Sequence, residues 1–288
     1  MVRLLPRGRN LVLARWARKA GPLPELVCET AWGFKMAINL QERLARDIYF
    51  NGVYEPVTAA VIAHLLQPGD VFFDVGANQG QFSLLAAQRV GKSGAVHSFE
   101  PNPAVRRLLI HSVNLNGFAN VNVQDAACVD KAGSFVLQLE MSASNAYGGA
   151  KAVERTSGSD GQTVRGISLD QYVAENGIDR IDLMKMDIEG GEAGALVGMA
   201  GMLKRRVVKN LIVEFHPKLG LPGGHEGVRK IAANIVDAGY TQKQLHEYPQ
   251  GLFSHYMCKF SDDLIYAPTA DGSMREMDTP QYLFERKA

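Results

Sequence analysis

The stretch VFFDVGANQGQFS, at residues 71–83, constrains the fold of this chain more than any other part of its sequence. Four apolar residues surround Asp74, and two glycines, Gly76 and Gly80, follow at once. The apolar run predicts a buried β-strand, and the glycine turn predicts a helix that begins directly after it. In α/β proteins such strand ends are the place where ligands bind.

The rest of the chain repeats this alternation and predicts an α/β fold with a mostly parallel sheet covered on both faces. The further predicted strands are Ala95–Phe99, Val121–Gln124, Ile181–Met186, 207–215, Tyr240–Leu245, and either 255–260 or 264–266. The predicted helices are 80–90, Pro103–Asn116, a short helix from an N-cap at Ser168 to Glu175, 192–204 and 228–238. Segments 134–139 and 164–167 are predicted to pair as a hairpin around a Gly- and Ser-rich loop.

Composition excludes several classes of protein. The chain has 288 residues, 46% hydrophobic and 21% charged, which is typical of a globular protein. A formal net charge of +1 gives no field that would attract nucleic acid. Three scattered cysteines, without a CxxC pair, argue against disulfides and zinc and predict a cytoplasmic location.

The chain is predicted to have an N-terminal helical extension, 1–50, followed by one large domain, 51–288. The first 20 residues contain six basic and no acidic side chains, and their apolar core is too short for a membrane span. We therefore expect a surface helix there and no stable membrane insertion.

The first junction reads D-x-G-x-x-x-G and lacks the G-x-G-x-x-G of dinucleotide-binding proteins. Asp74 would repel a pyrophosphate but would suit a cationic amine, such as the methionyl part of S-adenosylmethionine. Gly76 and Gly80 would let the backbone approach such a ligand closely. Glu100 ends the next strand, where a carboxylate accepts hydrogen bonds from ribose hydroxyls. After the third strand come two residues that we expect to line an adenine pocket, Asp125 and Ala126.

Acidic side chains and a histidine follow the fourth and fifth strands. Asp187 and Glu189 come directly after one strand, and Glu214 and His216 end the other. Carboxylates at the end of a buried strand are costly unless they bind something. Asp187 could hold the amino group of the cofactor or the hydroxyl of the substrate. His216 is either a general base that titrates near pH 6–7 or a structural histidine bound to a loop carbonyl.

With these residues identified, the chain resembles the FkbM family of S-adenosylmethionine-dependent methyltransferases. The matching segments, in the order of the family, are DVGANQGQFS, FEPNP, VNLNG, SLD, KMDIEGGE and IVEFHP, and GVYEP at 52–56 resembles its lead-in. The resemblance covers roughly residues 48–216 and extends more weakly to about 267. DVGANQG alone would indicate only a class I methyltransferase, and the segments FEPNP and KMDIEGGE make the resemblance specific.

The resemblance implies a seven-stranded Rossmann-like sheet with an antiparallel last strand. It also implies methyl transfer, mostly to hydroxyl groups of sugars or natural products. Asp187 falls on the active-site position of the family. The residues that fall on cofactor-binding positions are Asp74, Gly76, Asn78, Gly80, Glu100 and Asn102.

For the reaction we expect Asp187 and His216 to share proton removal, with S-adenosylmethionine as cofactor and no obligatory metal. The loop at 144–163 is expected to help close the acceptor pocket. The side chains expected to contact the acceptor are Tyr54, Glu55, Glu189 and Glu214. The expected partner is a small-molecule or glycan acceptor and no nucleic acid, and a homo-oligomer is possible.

Four alternatives are open at this stage. The residues Asp187, Glu189, Glu214 and His216 could bind Mg²⁺, which some hydroxyl methyltransferases use to acidify the acceptor. An amino-group methyltransferase is disfavoured because no D-P-P-Y-type turn follows the fourth strand. A non-catalytic cofactor-binding module is disfavoured by the intact DVGANQG segment. A nicotinamide oxidoreductase is disfavoured by the missing third glycine.

Overall fold

The computed structural model describes residues 24–142, 145–154, 161–219, 223–245, 265–266 and 280–287. The predicted basic surface helix and the alternative last strand at 255–260 lie outside these residues. Within the described part, none of the helices has both the length and the apolar character needed to cross a bilayer.

The strands are β1 (Leu26–Glu29), β2 (Lys35–Ile38), β3 (Val71–Val75), β4 (Ala95–Phe99), β5 (Val121–Gln124), β6 (Ala126–Cys128), β7 (Gly133–Ser142), β8 (Asn145–Glu154), β9 (Gln162–Ile167), β10 (Ile181–Met186), β11 (Val208–Glu214), β12 (Tyr240–Leu245), β13 (Ile265–Tyr266) and β14 (Gln281–Arg286). The helices are α1 (Arg43–Asn51), α2 (Pro56–Leu65), α3 (Gln81–Val90), α4 (Pro103–Asn116), α5 (Leu169–Glu175), α6 (Glu192–Val197), α7 (Ala200–Lys204) and α8 (Gly224–Asp237).

An eight-stranded sheet forms the centre of the molecule, in the order β13-β12-β14-β11-β10-β3-β4-β5. The strands β11, β10, β3, β4 and β5 pair in parallel. In contrast, β14 runs antiparallel to both β11 and β12. Without the two-residue edge strand β13, this is the predicted seven-stranded sheet with an antiparallel last strand, so the predicted fold class is confirmed.

The strand order reverses at β3. The chain proceeds outward from β3 to β4 and β5, and later returns to the other side of β3 with β10 and β11. A cleft opens at such a switch point, outside the carboxyl ends of the strands. The loops after β3, β4, β10 and β11 therefore meet at one edge of the sheet.

Both faces of the sheet are covered by apolar layers. One layer contains Phe99, Met184 and Met186, and the other contains Phe72 and Leu183. Every residue of β10 is buried, because this central strand has a neighbour on each side and a layer on each face. Residues of β2 and α1 belong to the same layer as Phe72, so part of the predicted N-terminal extension packs on the main core. The boundary at residue 50 stays a prediction.

The predicted helix at 192–204 is interrupted after Val197. The carbonyl oxygen of Gly198 accepts hydrogen bonds from the backbone N–H of Asp170, at 2.9 Å, and from the hydroxyl of Ser168, at 2.8 Å. Adding a side chain to Gly198 would also overlap the backbone of Val129. These tertiary contacts separate α6 from α7. They also use the Ser168 hydroxyl, which does not cap α5 as predicted.

Three further element predictions are corrected. Segment 144–163 is not all loop, because β8 pairs antiparallel with β7. The strands β7 and β9 do pair antiparallel, but they are not a hairpin, because β8 lies between them along the chain. The N-terminal part is not only helical and irregular, since β1 and β2 form an antiparallel pair. The sequence pattern did not predict β14, whose apolar centre of three residues is flanked by polar ones.

Candidate active site

The glycine loop after β3 is bonded to the strands on both sides of it. The backbone N–H groups of Gly76 and Ala77 donate to the carbonyl of Phe99, at 3.1 and 3.0 Å. Gly76 has a φ of 85°, and a Cβ atom there would overlap the carbonyl oxygen of Asp187. Gly76 was expected to admit a ligand, but the group that approaches it most closely is the backbone of the protein itself. Gly80 is the N-cap of α3, and a side chain there would overlap Leu109.

Asp74 lies beneath this loop and is fully buried. Its Oδ2 accepts a hydrogen bond from the Ser83 hydroxyl at 2.6 Å, and the Ser98 hydroxyl donates in turn to Ser83 at 2.8 Å. Its Oδ1 has no hydrogen-bond partner among the described residues. Burial raises the pKa of Asp74, and the Lys185 ammonium opposes this rise. One oxygen of Asp74 is thus buried without a hydrogen-bond partner among the described residues.

Glu100 is buried at the end of β4 and holds two turns of backbone. Its Oε2 accepts from the N–H of Asn78 at 2.9 Å, and its Oε1 accepts from the N–H of Asn102 at 2.8 Å. Burial raises the pKa of Glu100 to about 7, although these two bonds oppose the rise. A carboxylate has about four lone-pair sites, so Glu100 can still accept two ribose hydroxyls.

Two residues on predicted cofactor positions use their side chains locally. The Oδ1 atom of Asn78 accepts a hydrogen bond from the backbone N–H of Gln79 at 2.8 Å. The backbone of Asn78 is in the left-handed region, with a φ of 49°. The Oδ1 atom of Asn102 caps α4 by accepting from the N–H of Ala104 at 3.0 Å. The Gln79 side chain is fully buried, and neither amide atom has a partner among the described residues.

The two residues expected to line an adenine pocket lie in different environments. Asp125 is exposed and pairs with Arg165, at 3.2 Å. Ala126 is fully buried in the same apolar layer as Phe99. Their role in cofactor binding stays a prediction.

Asp187 follows β10 at the carboxyl edge of the sheet, with 20% of its side chain exposed. Its Oδ2 lies 2.9 Å from the Nζ of Lys185, and its Oδ1 lies 3.8 Å from the Nε2 of His216. Burial acts to raise the pKa of Asp187, but the neighbouring Lys185 and His216 charges outweigh it and lower the pKa. Asp187 is therefore an ionised acceptor at neutral pH.

His216 is buried and held by a carboxylate from behind. Its Nδ1 lies 2.9 Å from the Oε1 of Glu192, which also accepts from the N–H of Gly190 at 3.0 Å. Its Nε2 lies between 3.6 and 3.9 Å from the carboxylates of Asp187, Glu189 and Glu214. Burial acts to lower the pKa of His216, but the Glu192 bond and the surrounding carboxylates raise it to about 10.

The remaining predicted acceptor residues surround this pair. The amide of Gln81 holds the backbone N–H and carbonyl of Tyr54, both at 2.7 Å. The amide of Gln281 donates to Glu55 at 3.2 Å and to Glu214 at 2.6 Å. Burial and the neighbouring carboxylate of Glu55 raise the pKa of Glu214 well above its usual range.

Two overlapping groups in the described residues could hold a metal ion. They are Asp187 with Glu189 and His216, and Glu55 with Asp187 and Glu214, each with ligand atoms within 4.8 Å of one another. In both groups Asp187 already has a cationic partner in Lys185.

Sequence reasoning missed three side chains of this site: Lys185, Glu192 and Gln281. Lys185 stands inside an apolar strand, a signal that could have identified it. Glu192 is the first residue of the helix predicted at 192–204, and its position in the sequence does not indicate its bond to His216. Gln281 belongs to β14, which the sequence pattern did not reveal.

The sheet order defines a class I methyltransferase fold, with acidic side chains at the carboxyl ends of β3, β4, β10 and β11 beside the switch point. The sequence profile described as methyltransferase FkbM domain matches residues 74–241. The chain therefore belongs to the FkbM family of S-adenosylmethionine-dependent methyltransferases, and S-adenosylmethionine is the cofactor of the family.

Three relatives illustrate the family. The chain is 27% identical over 217 residues to the AMB antimetabolite synthetase AmbE of Pseudomonas aeruginosa. This alignment covers 63% of this chain but only 10% of that protein. It is 30% identical to the 31-O-demethyl-FK506 methyltransferase FkbM of Streptomyces tacrolimicus, over 55% of this chain and 70% of the relative. It is 24% identical to the 2-O-methyltransferase NoeI of Sinorhizobium fredii, over 67% of this chain and 92% of the relative.

Proposed function

We propose that this chain is an O-methyltransferase that transfers the methyl group of S-adenosylmethionine to a hydroxyl group of a sugar, glycan or natural product. One observation carries the proposal. A carboxylate, Asp187, and an imidazole, His216, lie 3.8 Å apart beside the glycine loop. The names of the relatives from Streptomyces tacrolimicus and Sinorhizobium fredii both describe methylation at oxygen, which supports the acceptor class.

The residues present fit the cofactor. Glu100 would accept the ribose hydroxyls, and the unpartnered Oδ1 of Asp74 would suit the methionyl amino group. S-adenosylmethionine supplies a methyl group that is already activated on sulfur, so the protein has to supply positioning and proton removal.

Asp187 and His216 divide the proton removal between them. The Oδ2 of Asp187 is held by Lys185, so Oδ1 is the oxygen that accepts a hydrogen bond from the acceptor hydroxyl. His216 is fixed through Nδ1 by Glu192, and its Nε2 points toward Asp187. In its neutral form, His216 can act as the general base and take the proton of the acceptor hydroxyl that is bonded to Asp187.

The pKa of His216 changes the expected pH dependence. With a pKa of about 10, His216 carries a proton at neutral pH and becomes an available base only as the pH rises. We therefore expect kcat to increase from pH 7 towards pH 10, in place of the limb near pH 6–7 that an unperturbed histidine would give. His216→Ala should lower kcat by about 10²-fold or more and remove this pH dependence.

The assay uses S-adenosylmethionine with a panel of sugars and glycosylated natural products. His111→Ala provides a control, because His111 is a half-exposed histidine on the surface of α4. Methyl transfer to amines but to no hydroxyl would overturn the proposal in favour of an amino-group methyltransferase. Unchanged activity of the His216→Ala and Asp187→Asn variants would remove the pair from the mechanism.

The same assay tests the expectation that no metal is obligatory. We expect full activity in EDTA. Activity that EDTA abolishes and Mg²⁺ restores would recast Asp187, Glu189, Glu214 and His216 as metal ligands.

A further inference from the structure

Lys185 is a charged residue in the buried interior of the sheet. Only 3% of its side chain is exposed. It lies on the central strand β10, with Asp74 and Ile212 as its neighbours on the adjacent strands. Its ammonium group sits 4.6 Å from the centre of the Phe82 ring. A buried charge is costly unless it is paired, and an apolar side chain of similar size would often stabilise the fold as well or better.

The ammonium group has one close anionic partner among the described residues. Its Nζ contacts Asp187 Oδ2 at 2.9 Å, and other carboxyl groups lie nearby. Burial acts to lower the pKa of Lys185, but Asp187 and Glu55 outweigh it and raise the pKa. Lys185 is therefore a permanent cation at every pH at which the protein would be assayed.

The cation matters because carboxylates crowd this edge of the sheet. One oxygen from each of Glu55, Asp187 and Glu214 lies within 4.8 Å of the others. Burial and repulsion already raise the pKa of Glu214 well above its usual range, and without a compensating positive charge the pKa of Asp187 would rise as well. A protonated Asp187 could no longer accept a proton from a hydroxyl.

We propose that Lys185 is a positioning residue that acts through Asp187. It binds Oδ2 and leaves Oδ1 turned toward His216 and the acceptor hydroxyl. It supplies, from within the sheet, the positive charge that a divalent cation would otherwise have to supply. This inference rests on the proposed O-methyltransferase function, because the role of Asp187 comes from there.

The test compares Lys185→Met, which keeps the size and flexibility of the side chain but removes the charge, with Lys185→Arg, which keeps the charge. Asp187→Asn and the double variant Lys185→Met/Asp187→Asn complete a cycle. Three quantities are measured: kcat with the best acceptor of the panel, the dissociation constant for S-adenosylhomocysteine, and the free energy of unfolding in urea.

We expect Lys185→Met to lower kcat by about 10²-fold, because a displaced catalytic carboxylate costs a factor of that size. Lys185→Arg should recover part of the loss. The double variant should be no slower than Asp187→Asn alone, since both changes disable the same group. Wild-type kcat in folded Lys185→Met, or losses that multiply in the double variant, would overturn the proposal.

The unfolding measurements separate this proposal from the proposed function. If wild-type protein methylates no hydroxyl, the O-methyltransferase function fails, whatever Lys185 does. The two substitutions should still be non-additive in unfolding free energy, because each removes one partner of the same ion pair. Additive effects on stability would show that Lys185 does not act on Asp187. If Lys185→Met does not fold, a loss of kcat in Lys185→Arg that disappears in the Asp187→Asn background supports the proposal, and its persistence there contradicts it.

Discussion

At the scale of single residues, local partners decide what each carboxyl group can do. Glu100 and Asp187 both end strands next to β3, yet their pKa values shift in opposite directions. The backbone N–H groups bonded to Glu100 lower its pKa less than burial raises it, so the pKa rises to about 7. Asp187 has Lys185 and His216 beside it, and these charges outweigh burial. The sequence presents two similar acids, and their surroundings give them different chemistry.

The pKa of Glu100 predicts that cofactor binding depends on pH. The carboxylate accepts hydrogen bonds from ribose hydroxyls better than the protonated acid does, so affinity should rise as the pH increases through about 7. Glu100→Ala should weaken binding by about 1–3 kcal/mol at pH 8 and flatten this dependence. Calorimetric titration with S-adenosylhomocysteine between pH 5.5 and 8.5 measures both effects. An equally steep pH dependence in folded Glu100→Ala protein would contradict the assignment.

At the scale of elements, the loop after β3 and the loop after β10 fit together as backbone against backbone. The N–H of Asp187 donates to the carbonyl of Val75 at 3.0 Å, and Gly76 leaves room for the carbonyl of Asp187. This contact sets the position of Asp187 relative to the glycine loop. Gly76 therefore serves the assembly of the site before any ligand binds.

Gly76→Ala should destabilise the fold as well as impair the site. The new Cβ would overlap the Asp187 carbonyl at a φ of 85°, so we expect a loss of at least about 2 kcal/mol in unfolding free energy. Gly117→Ala is the matched control, because Gly117 has a φ of 63° and open space around its missing Cβ. That variant should cost only about 1–2 kcal/mol, the strain of a left-handed residue. Similar losses in urea unfolding for both variants would show that the contact with Asp187 is unimportant.

At the scale of the whole molecule, the last strand completes the site. Gln281 begins β14, and its amide oxygen accepts from the Thr58 hydroxyl at 2.8 Å. Its amide nitrogen donates to both Glu55 and Glu214. Because β14 is antiparallel, its first residue lies at the carboxyl edge of the parallel strands. One side chain thus connects segments more than 200 residues apart.

Gln281→Glu should make stability depend on pH. The new carboxyl group would lose the bonds donated to Glu55 and Glu214 and face both of them. The pKa of this new carboxyl group would be higher in the folded state than in the unfolded state. Stability therefore falls as the pH rises from the unfolded-state pKa towards the folded-state pKa. We expect about 1–3 kcal/mol of destabilisation at pH 8 and less at pH 5. Gln281→Met, which adds no charge, should be destabilised relative to wild type by a similar amount at both pH values in urea unfolding.

The sequence alone predicted the core of the fold and most residues of the candidate site. Apolar residues bounded by turn residues predicted the bounds of four parallel strands, Val71–Val75, Ala95–Phe99, Val121–Gln124 and Ile181–Met186. Residues at the carboxyl ends of such strands must share one edge of the sheet. For this reason Asp187, Glu214 and His216 could be predicted to lie together without knowledge of any contact.

The tertiary structure decided the features that depend on distant or packed neighbours. Gly198 interrupts a helix because of its contacts with Asp170 and Val129, and β14 is a strand because β11 and β12 provide its partners. The same holds for charge: the pKa of His216 follows from the carboxylates of Glu192, Asp187 and Glu189, which converge only in the folded chain. Short-range patterns determine where elements begin and end, whereas hydrogen bonds, burial and charge between distant segments determine what the site can do.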